Sequence, residues 1–349
     1  MRRTTAMLLA SAVGVSAALS ACGSNDDTTP AASESNQVAS SVRIISGGSE
    51  SFSDAAVFKA VELLKAQGIN VTSSVVDDPA TALRAVVAGK ADVALLDPVE
   101  AVKAVQNGDA PIKYIGSLSQ ATDYELIALP GVSLDNLAGK KFASAGPGTA
   151  GDVIASAALA KQNVDFSQVH KVTVGGTSAR VTAILAGQVD VAPVHAPDAV
   201  AAVKTGKVGM LLDLGSVLGQ YLQQGMIASD TFVSDKATTQ AVVDAFIDAE
   251  RFAASDATGY LAEAKANDLY GDLTDTEAQD AYQSLKDTKI FATNGAICED
   301  AVQATLTYDY AVPDNGLTPD TTPAYDKWVD PSFVEAYLNK NGKDAGGYC

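Results

Sequence analysis

Short β-branched runs alternate with amphipathic stretches along the middle of the chain. Residues 42–46, 71–76, 92–96 and 112–116 have the composition of strands, and residues 53–67, 81–88 and 99–107 carry apolar side chains at helical spacing. Gly89 and Gly108 follow two of these helices and are expected to end them. Strands that alternate with helices predict a parallel sheet covered by helices, which is an α/β fold.

The pattern repeats 98 residues further along the chain. The segment Ala-Gly-x-x-Asp-Val-Ala occurs at 88–94 and again at 186–192, and the stretches 85–108 and 183–206 are identical at 11 of 24 positions without a gap. Repetition on this scale predicts two copies of one structural unit, at about 42–118 and 140–216. We therefore expect two doubly wound α/β lobes.

Two apolar segments outside the copies predict how the lobes are joined. Residues 123–129 can carry the chain into the second lobe, and residues 225–228 can carry it back, which makes a two-segment hinge. The helical remainder, from about residue 231, is expected to pack on the first lobe, with Trp328 in a packing role. The predicted first lobe comprises residues 42–121 and 232–349, and the second comprises residues 122–231.

The first 22 residues have a different pattern. Arg2 and Arg3 precede an uncharged apolar run over 6–19, and Leu19-Ser20-Ala21-Cys22 follows. A basic start, a short apolar run and small residues are typical of a secretory signal, and the run is too short to span a bilayer. We expect a signal peptide at 1–21 and lipid attachment at Cys22, with an ordinary secretory signal as the alternative. The polar residues 22–41 predict a flexible tether.

The net charge of the chain limits the classes of partner that it can bind. Its 349 residues include 42 acidic and 24 basic side chains, for a formal net charge of -18, so no basic face is available for nucleic acid. Besides Cys22 only Cys298 and Cys349 are present, and an extracytoplasmic compartment permits them to pair, with two free thiols as the alternative. There is no CxxC motif or Cys/His cluster, so neither a metal nor a cofactor is expected.

Candidate ligand-binding residues follow from the ends of the predicted strands. Open α/β sheets bind ligands at the carboxyl ends of their strands, and two hinged lobes bring two such edges to one cleft. The first lobe supplies Ser49, Glu50, Ser51, Phe52, Asp97 and Ser117, the first crossing supplies Asp123 and Tyr124, and the second lobe supplies Gly148, Thr149, Ala150, Thr177, Arg180 and His195.

Three of these candidates have more than one interpretation. Thr149, with Asp152 three residues later, either caps its own helix or opens an anion seat at the helix N-terminus. Arg180 either binds an anionic group of the ligand or pairs with a local acid on a helix surface. His195 either forms a polar pair with an Asp across the cleft, contacts the ligand, or is a structural histidine.

Several segments together are similar to the substrate-binding proteins of ABC importers. They include the Leu-Ser-Ala-Cys lipobox, Ser-Gly-Gly-Ser at 46–49, Arg-Ala-Val-Val-Ala-Gly-Lys-Ala-Asp-Val-Ala at 84–94, Tyr-Glu-Leu-Ile-Ala at 124–128, Gly-Ala-Ile-x-Glu-Asp-Ala at 295–301 and Val-Asp-Pro-Ser-Phe-Val at 329–334. The chain resembles most the SsuA/TauA/THI5-like (NMT1-type) group, which binds sulfonates, taurine, nitrate and thiamine pyrimidine precursors. The resemblance implies a type II periplasmic-binding-protein-like fold that hands a small solute to a permease.

These observations predict a binding protein and not an enzyme. No Gly-x-Ser-x-Gly motif occurs, only two His are present, and the Cys-rich segment of yeast pyrimidine synthases of this fold is absent. The resemblance and the helix N-terminus favour a small organic anion of sulfonate or carboxylate type, aromatic or not. A thiamine pyrimidine precursor or another nitrogenous solute is the alternative, and a secreted lipid-anchored enzyme or ligand sensor is the alternative of another class. We expect a monomer, anchored outside the cytoplasm by palmitate on Cys22, with ABC permease subunits as partners.

Overall fold

The computed structural model describes residues 38–48, 50–76, 78–146, 148–312 and 316–349. The predicted signal peptide, Cys22 and the tether up to residue 37 lie outside the described residues, and so does Ser49. Within the described part of the chain, no helix is both long enough and apolar enough to cross a membrane.

In the described part of the chain, ten strands form two separate sheets. They are β1 (Ser41–Gly47), β2 (Asn70–Val76), β3 (Val93–Leu96), β4 (Ile112–Ser117), β5 (Tyr124–Ala128), β6 (Lys141–Ser144), β7 (His170–Thr173), β8 (Val191–His195), β9 (Gly209–Asp213) and β10 (Gly225–Ser229). The strand order is β2-β1-β3-β10-β4 in the first sheet and β7-β6-β8-β5-β9 in the second. The predicted α/β class with two sheets is confirmed, and we call the part of the chain around each sheet a lobe.

The helices between these strands repeat at the offset seen in the sequence. The first lobe has α1 (Ala55–Ala66), α2 (Pro79–Val87) and α3 (Pro98–Gly108), and the second has α4 (Ala150–Lys161), α5 (Thr177–Leu185) and α6 (Ala196–Lys204). Single turns of 3-10 helix lie at Phe52–Asp54, Leu134–Asn136 and Phe166–Gln168. One predicted helix end is wrong: Gly108 is the last residue of α3, and Asp109 takes the positive φ of 48° that ends it.

Each sheet contains one strand from a crossing segment outside the two copies, β10 in the first sheet and β5 in the second, and that strand is antiparallel to its neighbours. The first residue of β5, Tyr124, pairs with His195 at the carboxyl end of β8, and the first residue of β10, Gly225, pairs with Leu96 at the end of β3. A chain that enters a sheet at its carboxyl edge must run back along it, so the sheets are mixed and not wholly parallel. The predicted second lobe, 122–231, included β10, whereas this strand pairs in the first sheet.

The C-terminal helices cover the first sheet, as expected. They follow α7 (Leu214–Leu218) of the second lobe and are α8 (Asp230–Ser234), α9 (Lys236–Ser255), α10 (Ala257–Ala266), α11 (Asp275–Asp287), α12 (Glu299–Tyr310), α13 (Tyr325–Trp328) and α14 (Ser332–Asn341). Their apolar side chains share one core with β1, β3, β4 and β10. Trp328 is 1% exposed and its ring lies 6.0 Å from that of Tyr114, which confirms its packing role.

Two of the C-terminal helices also reach the second lobe. Lys204 of α6 forms an ion pair with Glu277 of α11 at 3.4 Å. Lys161 of α4 donates a hydrogen bond to the Tyr308 hydroxyl of α12 at 2.9 Å. The helices that were expected to pack on the first lobe therefore contact the second lobe as well.

A disulfide joins Cys298, just before α12, to the last residue, Cys349. This confirms the predicted pairing, and the bridge closes a segment with a sequence separation of 51. The tail that it holds also contacts the first crossing, because the Gln120 side chain donates to the Gly346 carbonyl at 3.1 Å and accepts from the Tyr348 N–H at 2.7 Å. The C-terminus is therefore fastened beside the hinge.

Strand β10 packs closely in the first sheet at its first residue, Gly225. A Cβ at this position would overlap the Tyr114 hydroxyl and lie 2.6 Å from the carbonyl oxygen of Gly116, which is backbone and cannot move aside. We expect Gly225→Ala to lower the free energy of unfolding by about 1–3 kcal/mol through overpacking. Urea unfolding measures this decrease in the free energy of unfolding. Gly209→Ala, at the start of β9 with no atom within 4 Å of the added Cβ, is the control, and equal losses in both variants would contradict the packing described here.

Candidate functional site

A cavity of about 1240 Å³ lies between the two lobes at the carboxyl ends of their strands. From the first lobe it is lined by residues at the ends of β1 and β3, including Gly48 and Asp97. From the second it is lined by the segments that precede α4 and α5 and by His195 at the end of β8. This is the edge at which open α/β sheets bind ligands.

The structure brings most of the predicted site residues to this cavity. Those that line it are Glu50, Ser51, Phe52, Asp97, Tyr124, Gly148, Thr149, Ala150, Thr177, Arg180 and His195. Two predicted residues do not line it. The Ser117 hydroxyl instead donates to the backbone carbonyls of Ser119 and Gln224, because β4 ends beside the second crossing, and Asp123 lies behind the cavity wall.

Asp123 joins both lobes and both crossings. Its carboxylate is fully buried; Oδ1 lies 2.8 Å from His195 Nδ1 of the second lobe, and Oδ2 accepts a hydrogen bond of 2.6 Å from the Ser53 hydroxyl of the first. Oδ1 also accepts from the Gln223 side chain in the second crossing at 3.1 Å, and Gln223 in turn accepts from Thr122 at 2.5 Å. His195 therefore pairs with an Asp, but this Asp directly precedes Tyr124, the strand partner of His195, and does not lie across the cleft as predicted.

The pair of Asp123 and His195 is ionic. Burial opposes the charged form of each group, but mutual attraction outweighs it. The imidazolium holds the pKa of Asp123 down at about 2, and the carboxylate raises the pKa of His195 to about 10. Ser53 and Gln223 complete the arrangement but were not among the predicted residues. Their side chains are ordinary polar groups in the sequence, and no local pattern marks them.

Arg180 is not the surface residue paired with a local acid that one interpretation predicted, while its contact with a ligand stays a prediction. Its residue is 3% exposed, and no acid pairs with it within the described part of the chain. Three of its N–H groups are donated within its own lobe, to the carbonyls of Pro193 at 2.8 Å and Gly175 at 2.7 Å and to the Thr177 hydroxyl at 2.9 Å. These three hydrogen bonds support the loop before α5. Because a guanidinium has five N–H donors, Arg180 can make them and also line the cavity.

The start of α4 does not contain the predicted capping box. The Thr149 hydroxyl donates to the Gly146 carbonyl at 2.8 Å and caps no N–H of the helix. Asp152 is buried and forms an ion pair with Lys171 at 3.1 Å instead. The carboxylate of Asp152, which was predicted to cap the helix, thus pairs with a side chain of the neighbouring strand β7. Thr149 still lines the cavity.

Carboxyl groups dominate the cavity wall, mainly on the side of the first lobe. The deeper ones are Asp54, Asp97, Glu250 and Asp309, and those nearer solvent are Glu50, Asp78, Glu100, Asp268 and Asp272. Asp198 is the acid on the side of the second lobe, and the lining cations are Lys103, Arg180 and His195. Glu250 and Asp309 come from helices α9 and α12, far from any strand end, so strand-end reasoning could not find them.

The deeper carboxyl groups are held in an unfavourable environment. Burial raises the pKa of Asp97 well above its usual range, and the nearby charge of Asp309 adds to the rise. Burial likewise raises the pKa of Glu250 well above its usual range, with a contribution from Asp54. Perturbed carboxyl groups in a cleft mark a candidate functional site.

Aromatic rings form the other part of the wall. Phe52, Tyr124, Tyr270 and Phe291 line the cavity. Phe52 is 2% exposed and packs 5.6 Å from the Tyr260 ring, as expected for a core residue, while Tyr124 lies 4.3 Å from the His195 ring. In the part of the chain that the structure describes, no three His, Cys, Asp or Glu side chains are grouped so as to hold a metal ion.

A family model described as NMT1/THI5 like matches residues 59–264 of the chain. No curated protein matches the sequence. Among solved structures, the zinc-bound ligand-binding component of an ABC-type import system from Staphylococcus aureus is 15% identical, with a TM-score of 0.69 over 85% of this chain and 98% of that one. The alkanesulfonate-binding protein SsuA from Xanthomonas axonopodis pv. citri, bound to MOPS, is 16% identical, with a TM-score of 0.67 over 84% and 100%.

An enzyme also shares this fold. The desulfurization enzyme DSZB is 14% identical to the chain, with a TM-score of 0.60 over 86% of this chain and 99% of that one. At these identities the likeness concerns the fold alone, which hosts both binding proteins and a catalyst.

The ion pair of Asp123 and His195 predicts a specific pH dependence of stability. Its contribution is complete between the unfolded-state pKa of Asp, about 3.9, and that of His, about 6.5. It is lost as the pH falls toward the folded-state value of about 2 for Asp123, and as the pH rises toward about 10 for His195. We expect the difference in free energy of unfolding between the wild type and Asp123→Asn to be largest in that window.

Urea unfolding at a series of pH values measures this difference, and NMR titration of His195 gives a second readout. Assignment is simple because His170 is the only other histidine, and its signal is removed in a His170→Ala variant. A His195 midpoint at or below about 6.5 would contradict the ion pair.

Proposed function

The chain belongs to the NMT1/THI5-like family, and we propose that it is the extracytoplasmic ligand-binding component of an ABC importer, a monomer that captures a small solute between its lobes. The observation that carries the proposal is the large cavity walled by the strand ends of both lobes. A cavity of this size holds a small organic molecule.

The two crossings support a mechanism of closure. Both start their strands at the cavity edge, so rotation of one lobe against the other opens and closes the cavity and requires little change within either sheet. The contacts of α11 and α12 with the second lobe bring the lobes together on the outside of the cavity. A solute that contacts both walls favours the closed form, which a permease can then recognise.

The location follows from the N-terminal sequence and the disulfide. Leu19-Ser20-Ala21-Cys22 fits a lipoprotein signal, and a bridge between Cys298 and Cys349 fits an oxidising compartment. We infer that palmitate on Cys22 anchors the protein and that residues up to about 41 tether the lobes to the membrane surface.

The alternative of an enzyme has little support from the geometry of the polar residues. Ser53 donates its proton to Asp123 and not to His195, so the order of a nucleophile, a base and an orienting acid is not formed. The sulfonate-binding relative is consistent with an organic anion as solute. A nitrogenous solute is consistent with the carboxyl groups of the wall. A role as a sensor would use the same closure.

Solute capture is tested with the purified protein and a small-molecule extract of bacterial cells. We expect the extract to raise the melting temperature and a compound to be retained after washing and detected by mass spectrometry, because a ligand that binds only the folded state stabilises it. Ala201→Trp places a large ring in the cavity wall and should abolish retention. Ala262→Trp, at an exposed position in α10, is the matched control and should retain the compound. No retention by the wild type would contradict the proposal.

Membrane anchoring is tested separately in cells. We expect the wild-type chain to fractionate with membranes and Cys22→Ala to be released from them, since the described residues contain no helix able to span the bilayer. Cell fractionation followed by detection of the protein measures this. Equal membrane association of both chains would overturn the lipid anchor and leave solute capture untouched.

A further inference from the structure

We propose that the solute bound in this cavity is a small organic cation, whose protonated or quaternary nitrogen lies against the carboxyl groups of the first lobe. This inference rests on the proposed function and names its ligand class. It differs from the organic anion that we expected from the sequence. Part of the excess of carboxyl groups in the cavity wall comes from helices that are remote in sequence from the strand ends, and the sequence alone did not indicate that they line the cavity.

Asp97 and Asp309 form the first part of this anionic wall. Asp97 ends β3 and uses Oδ1 to accept the Val99 N–H at 2.9 Å, as the cap of α3. Asp309 is 2% exposed and comes from α12, and its charge acts on Asp97. Glu100 and Lys103 of α3 also act on Asp97.

Asp54 and Glu250 form the second part. Glu250 is 4% exposed in α9, and the charge of Asp54 acts on it. Asp54 accepts hydrogen bonds from the N–H and hydroxyl of Ser51, at 2.7 and 2.9 Å, and the charges of His195 and Asp123 oppose each other there. Keeping four carboxyls in or behind one wall costs free energy that a cationic ligand would recover.

The cations of the cavity do not offset this charge. His195 is matched by Asp123 at 2.8 Å, and Arg180 gives three N–H groups to its own lobe, with the charge of Asp198 nearby. Carboxyl groups outnumber the cations that line the cavity. A bound cation favours the charged form of the buried carboxyl groups, whose pKa burial otherwise raises, and a bound anion opposes it, so this wall favours a cation. Tyr270, which is only partly buried, lines the same side and can contact a cation through its ring face.

The experiment determines the charge of the compound that the protein retains. The wild-type chain is incubated with a small-molecule extract of bacterial cells and washed, and the retained compound is passed over cation and anion exchangers at neutral pH. We expect it to bind the cation exchanger. A compound that binds the anion exchanger, or neither, overturns the inference and leaves solute capture standing. If nothing is retained, the proposed function fails and the inference fails with it.

Two variants test whether the carboxyl groups provide the attraction. With the retained compound as probe in calorimetric titration, Asp97→Asn should weaken binding at least about tenfold, because it removes charge but keeps the oxygen that caps α3. Glu250→Gln should act in the same direction and is the second measurement should either variant fold poorly. Asp135→Asn removes one charge at an exposed position outside the cavity, and should bind like the wild type. Binding by both cavity variants at wild-type strength, or tighter, would overturn the proposal.

Discussion

One buried carboxylate, Asp123, holds the two lobes in a common arrangement. It bonds to Ser53 in the first lobe, to His195 in the second and to Gln223 in the returning crossing. Removing a charge from water is costly, and here a charged partner and two neutral donors offset that cost. Because each donor belongs to a different segment, this one group links the two lobes and the returning crossing at the base of the cavity wall.

The carboxyls on the other side of the cavity are in the opposite situation. Asp123 has a cation in contact, and its pKa is lowered to about 2, whereas burial raises the pKa of Asp97 and of Glu250 well above the usual range. The carboxyl group of Asp123 thus has a structural role, whereas those of Asp97 and Glu250 are the ones for which we propose ligand recognition. The contrast lies in the surrounding charges and not in the depth of burial.

The internal repeat explains how such an asymmetric cleft arises from two similar lobes. Asp97 and His195 occupy equivalent positions, 98 residues apart, at the ends of β3 and β8. Position 97 carries a carboxyl group. Position 195 carries an imidazole, which the carboxylate of Asp123 keeps charged. The C-terminal helices, which follow the two copies, add Glu250 and Asp309 to the first lobe only. Duplication therefore supplies the frame, and the unrepeated segment supplies much of the charge.

The sequence by itself determined the local elements and their duplication. β-branched runs, helical spacing and the offset of 98 residues reflect backbone preferences and burial within short stretches, so strands such as β3 and helices such as α5 were predictable, and the strand-end rule led to Asp97, Thr149 and His195. Only the tertiary structure decided that the crossing strands run antiparallel, that Arg180 binds its own lobe, and that Glu250 and Asp309 face the cavity. Those outcomes depend on which segments come into contact in the folded chain, and contacts between separate segments leave no periodic trace in one sequence.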